Sequence, residues 1–208
     1  MRFYASASLF NFTWLKVTQI NIVTVNMTQF KQNLRYPIGT FQLPQDISGG
    51  HHQQWIADIA AFPQLLHAEV QGLSDLQLAW PYRPEGWNIR QVIHHCADSH
   101  INCFSRFKLA LTEDNPTIRP YFEDRWAKLP DMQAPIQWSL HLLEGLHQKW
   151  AFLLRQMSTE DYARTFVHPE HGKAFTLQEA LGMYAWHSNH HLAHVRQAKQ
   201  YQGIFNLA

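Results

Sequence analysis

Cysteine is scarce in this 208-residue chain, and where it occurs it excludes a disulfide framework. Cys96 and Cys103 are seven residues apart in a stretch that reads as helix, about 10 Å by the helical rise and beyond the span of an S–S bond. Both read as small buried hydrophobes, and the cytoplasm is the expected compartment. Glycine and proline are few, at 9 and 10 residues, and hydrophobic residues make up 46%, which together argue against a disordered chain. No excess of one charge exists: 17 Lys+Arg oppose 16 Asp+Glu, so the electrostatic footprint of a nucleic-acid binder is missing. A membrane span is missing too. The first 26 residues have Arg2 as their only early cation, are interrupted by Asn11, Thr13 and Lys16, and lead to no small-residue cleavage site, so they do not read as a secretion signal. Residues 1–26 read as an upstream extension with Met27 the more natural start, the alternative being an extra strand or docking segment. Residues 27–208 then suit one domain.

What is abundant is histidine, at 14 residues, with 8 Trp beside it. Imidazole is the commonest metal ligand and the side chain best matched to proton transfer near neutral pH, so its placement is the main question.

The chain divides into four amphipathic segments. From His51 to Gly72 apolar residues including Trp55, Ile59, Phe62, Leu66 and Val70 recur at three- and four-residue steps, with Pro63 expected to kink or restart the helix. Asn88 is an N-cap candidate for a second helix through Leu111. The connection Thr112 to Pro135 carries Tyr121, Phe122 and Trp126, and its length and aromatic content suggest a wall over a site. A third helix opens at Pro135 and runs to Met157; a small hairpin fits between Tyr162 and Phe175; Thr176 to Glu179 has the form of a capping box opening a fourth helix that stops at Gly203. The expectation is an all-α four-helix bundle with a long aromatic connection between helices 2 and 3, a fold whose facing helices commonly build metal sites.

The densest signal is the run from Tyr184 to His194, in which His187/His191 and His190/His194 are two overlapping i, i+4 pairs. Leu181, Tyr184, Leu192 and Val195 mark the core direction, and His187 with His191 lies nearer to it. A third donor is expected from the second helix, where His94 falls nearly opposite the apolar stripe and His95 borders it. His95, His187 and His191 are therefore the candidate metal ligands. His100 reads as a core histidine satisfied by one hydrogen bond, and Asp98 as a carboxylate that either orients a ligand imidazole or is simply exposed. Ser99, Asn102 and Arg106 share the polar edge of His95 over about 16 Å, and Arg106 with Lys108 could meet an anionic substrate or be solvated cations at a helix end. Three imidazoles without a fourth side chain describe an open, catalytic type of site. A divalent ion there lowers the pKa of bound water or deprotonates an incoming thiol; zinc is expected by abundance, with nickel also suited to imidazole.

At these residues the sequence resembles the DinB/YfiT-like metalloproteins, in particular the YfiT or BstA branch described as metal-dependent hydrolases. The resemblance rests on Tyr82 to His100, Arg106 to Tyr121, Tyr184 to His194 and Leu34 to Gly39, and covers roughly Met27 to Gly203. Cys96 departs from the pattern, where a larger aliphatic residue is expected. The resemblance implies one metal ion on the same three histidines, a homodimer and a cytoplasmic location. It implies an enzyme acting on a small molecule, with no catalytic residue beyond the ligands identified. A thiol S-transferase using a low-molecular-weight thiol, and a metal-holding stress protein without turnover, stay open as alternatives.

Overall fold

Each of the four apolar periodicities becomes a long helix in the computed structural model, which describes residues 29–205. They are α1 (Gly49–Val70), α2 (Ile89–Thr112), α3 (Ile136–Gln156) and α4 (Leu177–Tyr201). The expected extension over 1–26 lies outside the described residues. The helix starts are written in local chemistry. Asn88 Oδ1 accepts the Gln91 N–H at 2.9 Å while Gln91 Oε1 accepts the Asn88 N–H at 3.1 Å, opening α2. Thr176 and Glu179 repeat the exchange at 3.2 and 2.7 Å to open α4. A cap of this kind is worth about 1 kcal/mol. At the other end of α4, Gln202 and Gly203 turn left-handed at φ 52° and 72°, which stops the helix where the sequence indicates.

Pro63 does not restart α1: the helix runs through it, with the ring buried. Proline has no N–H, so the carbonyl of Ile59 lacks its usual i+4 donor. His147 Nδ1 on α3 lies 2.6 Å from that oxygen and takes the place of the missing donor.

The bundle packs as a ring in which α1 and α2 each lie against both α3 and α4, leaving α1/α2 and α3/α4 as diagonal pairs. The long connections make this order reachable. One turn of helix (Glu123–Trp126) and a 3-10 turn (Pro130–Gln133) interrupt the link from α2 to α3. A further helical turn (Thr159–Ala163) and the antiparallel hairpin β1 (Thr165–His168) and β2 (Lys173–Thr176) link α3 to α4. The hairpin is the one expected between Tyr162 and Phe175. Gly182 lets α4 approach α1 closely, since a Cβ there would meet the Trp55 ring at 3.0 Å.

Candidate metal centre

The apolar core is not continuous along the bundle. One cluster holds Phe62, Leu66, Ile93, Ala97, Leu140, Leu143 and Leu192; the other holds Ile56, Ile59, Cys103, Trp150, Leu181 and Ala185. On α2, α3 and α4 the residues between the two clusters include His100, His147, His187 and His191. A layer of imidazoles thus separates two hydrophobic cores. Burying polar rings this way is tolerable only when their nitrogens find partners.

His95 from α2 and His187 and His191 from α4 meet at one edge of this layer. Their candidate donor atoms all lie within 4.8 Å of one another, and no Asp, Glu or Cys joins them among the described residues. The ring centroids are 5.4 Å apart for His95 and His187, 4.8 Å for His95 and His191, and 4.4 Å for His187 and His191. The i, i+4 spacing stacks the α4 pair on one face, and the packing of α4 on α2 brings His95 opposite. Desolvation pushes His95 down to about 4 and His187 and His191 well below the usual histidine range, the neighbouring imidazoles adding to the effect. All three are neutral at pH 7, the state in which a ring nitrogen offers a lone pair.

The neighbours divide as expected in some places and not in others. His94 is buried rather than solvated: its Nδ1 is 2.7 Å from Ser139 Oγ and its Nε2 3.1 Å from the Ala134 carbonyl, so the start of α3 covers the face that the α2 periodicity leaves polar. His190 and His194 are also buried, because the chain before α1 and the link from α1 to α2 close over that side of α4. Tyr36 meets the His190 ring at 5.8 Å, Tyr82 stacks on His194 at 3.7 Å, and His194 Nε2 is 3.1 Å from the Arg35 carbonyl. His194 Nδ1 in turn lies 3.3 Å from His191 Nδ1. His100 is a core histidine with two partners rather than one, His147 Nε2 at 2.7 Å and His187 Nδ1 at 3.0 Å. Asp98 orients none of the three imidazoles by a hydrogen bond among the described residues; desolvation and the charge of Asp131 raise its carboxyl to about 6. Ser99 and Arg106 line the cavity beside the triad, whereas Asn102 turns back to the Asp98 carbonyl at 2.8 Å and Lys108 is exposed away from it.

That cavity holds about 960 Å³ and opens onto His95, His187 and His191. Its walls are aromatic, with Tyr36, Phe41, Tyr82, Trp87, Tyr121 and Trp186, and Arg35, Arg83, Arg106 and Lys173 approach it beside Glu123 and Glu170. Tyr121 comes from the long connection, so the expected wall exists, although Phe122 is exposed. Sequence reasoning missed three contributors. The residues around Arg35 and Tyr36 carried no periodicity; His168, His171 and Lys173 sit on a hairpin to which no helical wheel applies; and Trp87, 4.6 Å from His95 between ring centroids, precedes the cap. Tyr184 Oη reaches Ser99 Oγ at 3.2 Å behind the triad, a contact between α4 and α2 that no local signal announces.

Comparison with known proteins places the chain in a family. Residues 52–195 match the profile of the DinB superfamily. A protein of Halalkalibacterium halodurans, named as a candidate metal-dependent hydrolase, is 46% identical over 79% of this chain and 95% of its own length. A Bacillus cereus protein with the same designation is 47% identical over 81% of this chain and 96% of its own. Among solved structures, YfiT from Bacillus subtilis, described as a candidate metal-dependent hydrolase with an unusual four-helix-bundle topology, is similar with a TM-score of 0.79 and 44% identity, covering 82% of this chain and 98% of that one.

Proposed function

Because the chain belongs to the DinB superfamily, we propose that it is a metal-dependent hydrolase of small molecules, its divalent ion held by His95, His187 and His191. The observation that carries this reading is the convergence of three neutral imidazoles, donor atoms within 4.8 Å, on the floor of a large cavity. The donor set fits a borderline cation such as zinc, or nickel, better than a hard one, and three side chains leave a position open. An ion bound there would polarise a substrate oxygen and lower the pKa of water in the open position.

The protein's own residues then divide the remaining work. Tyr121, Trp87 and Trp186 shield the reacting groups from bulk solvent, which strengthens every charge interaction within. Arg83 and Arg106 meet negative charge on the substrate, and Arg106 stands on the same edge of α2 as His95. Glu123, whose carboxyl is held above the usual range by desolvation and by Asp124 and Glu170, offers a proton acceptor at the cavity rim. We also propose a cytoplasmic homodimer. No helix among the described residues is long and apolar enough to cross a membrane, and Trp138 and Phe152, 67% and 68% exposed on α3, give an apolar outer face for a second copy.

Metal analysis of natively purified protein, followed by assay against simple esters and amides and, separately, against a low-molecular-weight thiol with an electrophile, tests the reading. Hydrolysis abolished by chelator and restored by zinc or nickel supports it. Metal-dependent thiol consumption without hydrolysis would replace it with S-transfer, and a bound metal with neither activity would leave a binding protein.

A further inference from the structure

Two buried histidines, His147 and His100, and the half-buried His187 form a line of hydrogen bonds from α1 to the triad, and its direction follows from one end. The Ile59 carbonyl, free of a helical donor because residue 63 is proline, can only accept, so the His147 nitrogen 2.6 Å away must carry a proton on Nδ1. A neutral imidazole has one N–H and one lone pair, so His147 Nε2 is bare and accepts from His100 Nδ1–H at 2.7 Å. His100 Nε2 is then bare and accepts from His187 Nδ1–H at 3.0 Å. The last step leaves His187 with its lone pair on Nε2.

We propose that His147 and His100 are positioning residues that fix the ring orientation and tautomer of His187, so that its Nε2 lone pair is presented to a metal ion before the ion arrives. This rests on the metal-centre reading above. The line does not carry protons. Both nitrogens of His100 and of His147 are engaged, His100 and His147 are only 0% and 1% exposed, and the line ends on a backbone carbonyl, which takes up no proton. Its consequence is orientation: a ring free to flip would present an N–H as often as a lone pair, and binding would have to select the productive form.

His147 makes the sharper test, because among the described residues its nitrogens bond only Ile59 and His100. Its ring lies among Phe62 and Trp150, at centroid distances of 5.5 and 5.9 Å, so phenylalanine fits the apolar surroundings. The full chain and its His147→Phe and His147→Gln variants are titrated with zinc against a chromophoric chelator, and the metal-free proteins are compared by 15N NMR of the imidazoles and by melting temperature. Glutamine retains one donor for Ile59 and one acceptor for His100. Wild type is expected to show His187 protonated at Nδ1. His147→Phe should lose about 10- to 100-fold in zinc affinity, the range usual for groups that orient metal-bound histidines, and show His187 as a mixture of tautomers, while His147→Gln stays near wild type. Wild-type His187 protonated at Nε2 overturns the proposal. So does a folded His147→Phe protein with unchanged affinity and tautomer, or an equal loss in both variants. If wild type takes up no zinc, the metal-centre reading falls, and the tautomer of His187 alone still decides the line. Should His147→Phe fail to fold, wild-type NMR and the glutamine variant decide it.

Discussion

His94 and His95 are consecutive on α2 yet serve different neighbours: His94 bonds Ser139 Oγ and the Ala134 carbonyl, while His95 faces His187 and His191. Replacing His95 by Ala removes one of three donors, and bound metal should fall from about one per chain to near zero. Replacing His94 by Ala should keep the metal but cost about 1–3 kcal/mol in denaturant unfolding, because Ser139 and the Ala134 carbonyl lose a buried partner. Loss of metal in His94→Ala with retention in His95→Ala would show that the assigned face of α2 is wrong.

The same separation applies within α4. The Arg35 carbonyl fixes the His194 proton on Nε2, so His194 Nδ1 accepts from His191 Nδ1–H, leaving the His191 Nε2 lone pair free. His194→Ala should therefore keep one metal per chain with affinity weaker by about 10- to 100-fold. His187→Ala and His191→Ala should abolish stoichiometric binding. His190 has a buried Nδ1 without a partner among the described residues and stacks on Trp186 at 4.4 Å, so His190→Ala should change affinity least. Equilibrium dialysis across the four variants gives the ranking.

Much of this was legible because helices repeat. The 3.6-residue period places His187 and His191 on one face and His95 at the border of the α2 stripe, and the caps at Asn88 and Thr176 announce themselves in three residues. What was not legible depends on chain segments meeting across the fold. The burial of His94 needs the start of α3, and that of His194 needs the Arg35 carbonyl, 159 residues away in sequence. Pro63 reads in the sequence only as a residue that kinks or restarts a helix, since nothing local to α1 tells that a histidine of α3 will use the carbonyl that the proline leaves free.

The segment before α1 holds the site from outside, which makes its removal informative. Gln197 Nε2 donates to the Leu34 and Tyr82 carbonyls at 2.8 and 2.7 Å, and Leu34 is 3% exposed. A chain beginning at Met27 should melt with the full-length protein and bind metal equally well. Trimming further, through Leu43, should lower the melting temperature by several degrees and weaken metal binding, because it strips the acceptor that orients His194. Equal melting temperatures for all three would show that this segment contributes nothing to the bundle.

Metal and protons compete for the same buried imidazoles, so stability should depend on both. An ion that binds only the folded chain adds about 2.7 kcal/mol when its free concentration is 100 times Kd, which for a chain of this size is about 5–10 °C in melting temperature. Chelation should remove that increment without unfolding the protein at room temperature, since the two apolar clusters remain. In chelator, the pH dependence isolates the histidines. His147 and His95 ordinarily titrate at 6.5 but are held at about 4 by burial, and His194 at about 3, so between pH 6.5 and 4 the unfolded chain binds protons that the folded chain does not. Stability therefore rises with pH through that window, by at most about 1.4 kcal/mol per pH unit for each such histidine, and levels off above it. Acidification from pH 7 should be nearly neutral at first and then steeply destabilising below about pH 6. Urea midpoints measured from pH 4 to 8 check this, and a flat profile down to pH 4.5 would mean that the histidine layer is open to solvent rather than sealed between the two cores.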